Sequence, residues 1–301
     1  MEVAADTAVV MATHDGSRFL ASQIETILAQ SLLPAVVMIV DDASRDGSTD
    51  LIREIARTSP IPIETVAAVG SGDTDPKSRI TAAIMQGMAA VASSEFVLLS
   101  DQDDEWLPGR LRRQRDILAG DRHALLVAGD GLLIDEAGAE IGGSLRDRFP
   151  PPGDWDSASP ADRVKASIRR PFVTGATCAI RQELIQMMAP VPRRWLFDRW
   201  ATLVATARDG LVLQPDIVIR YRIHPDQLLG DRHSAGPVGG RRWRQVLDRG
   251  ASPLEGVVRA RDIVRRIRPL AIDSGIRDEL SWGSLARAAM ERTDPGPWRA
   301  S

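Results

Sequence analysis

Phe96-Val97-Leu98-Leu99-Ser100-Asp101-Gln102-Asp103-Asp104-Glu105-Trp106 is the stretch whose reading decides the fold. Four apolar residues bounded by polar ones read as a short strand buried on both faces, as in a parallel sheet. The run leads straight into Asp101, Asp103, Asp104 and Glu105. In an open α/β sheet, ligands sit just beyond the carboxyl ends of the strands. Carboxylates crowded there repel one another unless a cation joins them. Oxygen ligands suit Mg²⁺ or Mn²⁺, which usually share their coordination with substrate phosphates. The competing reading is a helix start, since acids favour a helix N-terminus and Asp103, Asp104 and Glu105 precede Pro108 and Leu111. One or two carboxylates would serve that purpose, so the metal site is the expectation carried forward.

Upstream, Thr7–Ala12 is an apolar strand and Thr13-His14-Asp15-Gly16-Ser17 the turn after it. Leu20, Ile24, Ile27 and Leu28 recur at helical spacing up to Gln30. Pro34 ends that unit, and Val36–Val40 forms a second buried strand closing on Asp41-Asp42. This βαβ unit implies parallel strands and a right-handed crossover. The segment from Asp42 to Gly47 has the alternation of a calcium loop, but its twelfth position is Arg53, where a bidentate glutamate is required. A calcium loop is excluded. A polar loop remains, with Ser48 or Thr49 capping a helix over 50–57.

Ile63–Val66 reads as a third strand, and Ile80, Ile84, Met88 and Val91 mark a helix leading into the central strand. Lys77 and Arg79 stand at its start, where they could meet phosphates or simply face solvent. A helix from Asp104 to about Leu118 and a strand over 124–128 follow. Pro150 to Pro160 is an irregular loop too polar for core.

A chain of 301 residues with 44% hydrophobic and 26% charged content suits a soluble α/β protein. A net charge of −3 gives no case for nucleic acid, and the single cysteine excludes an internal disulfide framework. No stretch approaches the ~20 apolar residues of a membrane span, and nothing reads as a signal peptide. A cytoplasmic protein is expected.

The blocks Val9–Thr13, Val40–Thr49 and Leu99–Trp106 resemble glycosyltransferase family 2. The likeness continues through Thr174–Arg181, Phe197-Asp198-Arg199-Trp200 and Tyr221–Gly230, in the family's order, covering roughly residues 7–230. The form Asp-Gln-Asp-Asp-x-Trp is most like bacterial rhamnosyltransferase-like members. The resemblance implies a GT-A fold: an α/β, Rossmann-like, mostly parallel sheet flanked by helices. A catalytic domain over 1–235 would divide into a nucleotide-binding half (about 1–130) and an acceptor half (about 131–235).

By the same resemblance, Thr13 and Asp41 contact the base or ribose; Arg79, from its place at a helix start alone, is a further nucleotide-binding candidate. Asp101 lies near the ribose, and Asp103 ligates a Mg²⁺ or Mn²⁺ that bridges the diphosphate. Asp198 is the general base: an acid before a helix is by itself better explained by capping, and its place between the Gly175 and Tyr-Arg-x-His blocks favours catalysis. His224 is a candidate metal or phosphate ligand and Arg222 a phosphate ligand. Asp104, Trp106, Gly175 and Trp200 belong to the same blocks and, with Arg222, are expected in acceptor or other supporting positions of the site. The implied reaction is inverting transfer of a sugar from a dTDP- or UDP-sugar to a glycan or lipid-linked glycan. His14-Asp15 replaces the more usual aromatic-Asn pair, Gln227 stands where Asn is common, and an Asn is missing from 78–81. These departures leave the base and the sugar open.

Gly236–Gly240 reads as a linker to an arginine-rich helical extension over 236–301. Nine arginines against three acids between Arg241 and Arg268 give a net of +6. Such a basic amphipathic stretch would either lie on an anionic membrane surface or pack on the catalytic domain. Two other functional classes share parts of this pattern. A sugar-phosphate nucleotidyltransferase normally has a glycine-rich loop after the first strand, and Thr13–Ser17 holds one glycine. A non-catalytic sugar-nucleotide binding component would have no need of Asp198.

Overall fold

Apolar side chains alternate to both faces of the inner parallel strands, and that alternation builds the sheet; the parallel edge strand over 63–67 is half-exposed. In a computed structural model the described residues are 1–70, 75–193, 195–227, 258, 261–271 and 274–290. Strands β1 (Glu2–Thr13), β2 (Leu32–Asp41), β3 (Ile63–Ala67) and β4 (Phe96–Ser100) pair in parallel in the order β3-β2-β1-β4. Val9, Met11, Ile39 and Leu98 face one core with Leu20, Ile24 and Ile27 of α1 (Ser17–Leu28) and Ile52 of α2 (Ser48–Thr58). Val10, Met38, Val97 and Leu99 face the other, with Ile84 and Met88 of α3 (Pro76–Ala90). Strands covered on both faces need near-continuous apolar sequence, as found here. The chain passes from β1 to β2 on one side and returns to β4 on the other, so a crevice opens at the carboxyl ends of β1 and β4.

The second half extends the same sheet. Strand β8 (Cys178–Arg181) enters antiparallel between β4 and β6 (Leu126–Ile134). Strand β9 (Leu211–Arg222) runs parallel to β6, whereas β7 (Glu140–Ser144) pairs antiparallel with it. Helices α5 (Leu145–Arg148), α6 (Pro160–Arg169), α7 (Gln182–Met188) and α8 (Phe197–Ala207) belong to this half.

Several local expectations are corrected. The strands are longer than their apolar cores, and Pro34 lies inside β2, opposite Ala4, next to a register irregularity. Proline is tolerated at such an irregularity. Helix α2 is capped by neither Ser48 nor Thr49. Gly47 occupies the cap with φ +94°, where an L side chain would be strained, and the Ser48 hydroxyl donates to Asp46 Oδ1 at 2.6 Å. No helix follows Asp104 directly. Glu105–Trp106 is a two-residue strand, β5, antiparallel to β9, and α4 (Arg110–Gly120) starts after the left-handed Gly109. The proline-rich loop before α6 is not wholly outside the core, because Trp155 is buried against Phe172 with ring centroids 4.9 Å apart.

Helix α3 lies so close to the sheet that a Cβ on Gly87 would meet Val10 Cγ1 at 2.5 Å and Val40 Cγ2 at 3.1 Å. Forcing atoms into a packed core costs about 1–3 kcal/mol. Gly87→Ala is therefore expected to lower the urea midpoint, despite alanine's better helix propensity. An unchanged or raised midpoint would contradict this packing.

The expected linker at 236–240 and most of the arginine-rich stretch lie outside the described residues. In the described part, Ile263, Ile267 and Ala271 join Leu280 and, from α10 (Trp282–Met290), Leu285 and Ala288 in the core that holds Trp200 and Ala205. Helix α9 (Ser274–Glu279) precedes α10. These described residues after position 258 thus pack on the same core as α8. Among the described residues no helix is long and apolar enough to cross a membrane.

Candidate functional site

The crevice predicted by the strand order is a cleft of about 280 Å³. The ends of β1 and β4 are tied together by Gln102. Its Oε1 accepts from the Thr13 hydroxyl (2.7 Å) and the His14 N–H (2.9 Å), and its Nε2 donates to His14 O (3.2 Å). A Cβ at Gly16 would fall 2.3 Å from that Oε1, so only glycine admits the tie. The neighbouring loops interlock as well: Asp15 N–H donates to Ser44, and Ser17 N–H to Asp46. Asp15 (φ 47°) and Ala43 (φ 59°) sit in the left-handed region, a strained conformation that clusters at functional loops.

Asp101, Asp103 and Asp104 each bring a carboxylate oxygen within 4.8 Å of the others. Burial first, then the Asp103 and Asp198 carboxylates, push Asp101 up to about 7. Burial followed by its acidic neighbours also raises Asp104 well above the carboxylate range. Asp104 Oδ1 accepts from Arg222 N–H at 2.9 Å, whereas its Oδ2 is buried with no hydrogen-bond partner among the described residues. Crowded oxygens, an orphaned carboxylate oxygen and mutual repulsion fit a hard divalent cation.

His224 Nε2 lies 2.8 Å from Asp103 Oδ2, and its ring packs on Phe19. The Arg222 guanidinium is taken up by Glu105 Oε1 (2.6 Å) and by the carbonyls of Asp103, Asp135 and Glu136. It braces the acidic loop from behind and does not line the cleft.

Asp198 comes from another element, the first turn of α8. Its Oδ2 accepts from Gly175 N–H (3.2 Å) and its Oδ1 from Arg199 N–H (2.6 Å). Burial raises its pKa, and these two backbone bonds oppose the rise. The capping residue of α8 is Leu196, not Asp198. A Cβ on Gly175 would stand 2.6 Å from Phe197 Cζ, so glycine is what lets the turn approach α8 closely enough to reach Asp198.

Of the site candidates singled out from sequence, Thr13, Lys77, Asp101, Asp103, Gly175 and Asp198 line one cleft, whereas Asp104 and His224 lie behind its wall. Asp41 lies beside it, accepting from Ser44 N–H and the Thr49 hydroxyl. Arg79 is paired with Asp42 at 2.7 Å, and it is Asp42 that reaches the wall. Trp106 and Trp200 are buried in the two cores rather than in the cleft. Sequence reasoning passed over Gln102, Phe172 and Tyr221 as lining residues, and over the fully buried Arg110 beneath the acids. The sequence Trp106-Leu-Pro-Gly-Arg110 carries no periodicity that marks that arginine as internal.

Comparison with known proteins agrees with this geometry. The chain is 28% identical over 228 residues to an uncharacterized glycosyltransferase, alr2836, of Nostoc sp. (strain PCC 7120 / SAG 25.82 / UTEX 2576), covering 72% of this chain and 64% of that protein. A Bacillus subtilis (strain 168) relative is 28% identical over 152 residues, covering 50% of this chain and 52% of its own length. The chain thus spans less than two thirds of the length of these curated relatives. Among solved structures, S. aureus TarS 1-349 in complex with UDP-GlcNAc aligns with a TM-score of 0.58 at 15% identity, over 96% of this chain and 74% of that one. Mannosyltransferase PcManGT from Pyrobaculum calidifontis, in complex with GDP-Man and Mn²⁺, aligns with a TM-score of 0.53 at 17% identity, over 95% and 70%. These likenesses establish the GT-A fold. The sequence profile of glycosyl transferase family 2 matches residues 8–185, more than half of the sequence, and the chain belongs to that family.

Proposed function

We propose that the protein is an inverting glycosyltransferase that moves a sugar from a nucleoside diphosphate to an acceptor hydroxyl. One observation carries this reading: two carboxylates of the acidic cluster, Asp101 and Asp103, and a separate buried carboxylate, Asp198 of α8, share one cleft. Thr13 and Gln102 frame the donor end, and the Asp41 loop supports it. Asp103, with Asp101, Asp104 and His224, would hold Mg²⁺ or Mn²⁺, which when bound neutralises charge on a departing diphosphate. Asp198 takes the proton of the attacking hydroxyl at a carboxylate oxygen, a role worth about 10²–10⁴-fold. One base and one displacement invert the anomeric centre. Relatives of the same fold that hold UDP-GlcNAc, or GDP-Man with Mn²⁺, support a sugar-nucleotide donor.

The finer reading has narrower support. Rhamnose as the donor sugar rests on the form of Asp101-Gln-Asp-Asp-Glu-Trp106. A glycan or lipid-linked acceptor in surface polysaccharide synthesis, met at the inner face of the membrane, rests on the family resemblance and on the basic stretch 241–268. The test is release of nucleoside diphosphate from UDP-glucose, UDP-GlcNAc, GDP-mannose and dTDP-rhamnose, each with Mn²⁺, Mg²⁺ or chelator. Metal-dependent release from one donor is expected. Silence with all four would remove the support for this reading.

Asp198 must be ionised to accept a proton, and burial lifts its pKa in the folded protein. Turnover should therefore rise with pH through an acid limb lying above the ordinary aspartate value of about 3.9, then level off. A kcat profile that is flat, or that falls as pH rises from 5 to 7, would contradict the role.

A further inference from the structure

We propose that Arg110, braced by Gln114, is a positioning residue that sets the gap between the acidic cluster and Asp198; this rests on the functional reading above. The β4/β8 ladder pairs Phe96 with Arg181, Val97 with Ile180 and Leu98 with Ala179, and ends there. The next residue on each strand is Leu99 or Cys178. Arg110 Nη2 donates to both of their carbonyls, at 2.9 and 3.4 Å. One guanidinium thus replaces the ladder where the strands part to form the cleft.

The two carbonyls belong to the two halves of the site. Leu99 stands two residues before Asp101. Cys178 ends the turn from Thr174 and Gly175, whose backbone N–H holds Asp198. Gln114 reinforces the second arm: its Oε1 accepts from Arg110 Nε (3.1 Å) and its Nε2 donates to Thr177 O (2.8 Å). The guanidinium is clamped from another side by Trp106, its carbon 4.0 Å from the ring centroid. Arg110 is 0% exposed, and its Nη1 has no partner among the described residues.

A fully buried arginine is a poor way to stabilise a fold, because desolvation offsets what its bonds return. Its planar fork is well suited to fixing a distance between two acceptors. A 1 Å misplacement of reacting groups by a remote change can cost about 10²-fold in rate.

The experiment measures Mn²⁺-dependent release of nucleoside diphosphate from the donor that wild type consumes, and calorimetric Kd for the matching nucleoside diphosphate with Mn²⁺. Variants are Gln114→Met, which removes the brace, and Arg110→Lys, which keeps the charge but loses the fork. Both are expected to lower kcat by at least about tenfold with Kd within about threefold of wild type, Arg110→Lys more severely. Should Arg110→Lys fail to fold, Gln114→Met decides alone. Unchanged kcat in Gln114→Met, or a loss of kcat no larger than the loss of affinity or folded fraction, would overturn the positioning role. Failure of wild type to bind nucleotide or consume any donor is a different result, and would instead overturn the glycosyltransferase reading.

Discussion

Asp198→Asn should lower turnover by about 10²–10⁴-fold, the usual worth of a general base, while nucleotide affinity stays within about threefold of wild type. The amide is nearly isosteric with the carboxylate. Its oxygen can still accept from Gly175 N–H or Arg199 N–H, the two bonds that place Asp198. What it cannot do is take a proton. Steady-state rates with the preferred donor, set beside calorimetric binding of nucleoside diphosphate and Mn²⁺, separate the two effects. Full activity in the variant would remove Asp198 from the chemistry. Loss of binding and turnover together would make it a structural residue of α8. A non-catalytic sugar-nucleotide binder would be untouched by the change.

Asp103→Ala should abolish the stabilisation that nucleotide and Mn²⁺ give together. A ligand at about 100 times its Kd adds about 2.7 kcal/mol to wild type, and the variant is expected to melt at the same temperature with or without the pair. In chelator the substitution should matter less, because two changes oppose each other: His224 loses its 2.8 Å partner, while Asp101 and Asp104 lose a repelling neighbour.

The sign of the pH dependence follows from Asp101. Its folded pKa, about 7, lies above the unfolded value near 3.9, so the folded state holds the proton more tightly. The metal-free protein therefore loses stability as pH rises from about 4 through 7. The gain from Mn²⁺ should grow over the same window. Thermal melts at pH 5.5 and 7.5 check both. An equal Mn²⁺ effect at the two pH values would place the ion elsewhere.

Much of this site could be read from the chain because its chemistry sits at strand ends. Runs such as Val9–Met11 and Phe96–Leu99 are apolar at every position since both faces of the sheet are covered, and such runs stand out without any alignment. The acids after β4 are legible for the same reason, being the first polar residues past the strand. What escaped is whatever depends on partners distant in sequence. Glu105–Trp106 is too short to show a period of two, and becomes a strand only by meeting Ile219 and Arg220. Asp104 looks like its neighbours in sequence, yet one of its oxygens is spent on Arg222 N–H, 118 positions away. The α2 cap went to Gly47 because Ser48 is occupied by Asp46 and Gly16, a contact between two loops. Arg110 is the largest omission. An arginine in Arg110-Leu-Arg-Arg-Gln-Arg reads as one of a solvated row, and only the parting of β4 from β8 makes this one internal.

Inverting transfer by Asp198 is tested most directly by the anomeric form of the sugar first released. Proton NMR at early times, with an α-configured donor that the protein consumes and water as acceptor, follows the product before mutarotation. The account predicts the β-anomer first, at a rate that collapses in Asp198→Asn. Appearance of the α-anomer first, or release that persists in the variant, would contradict it.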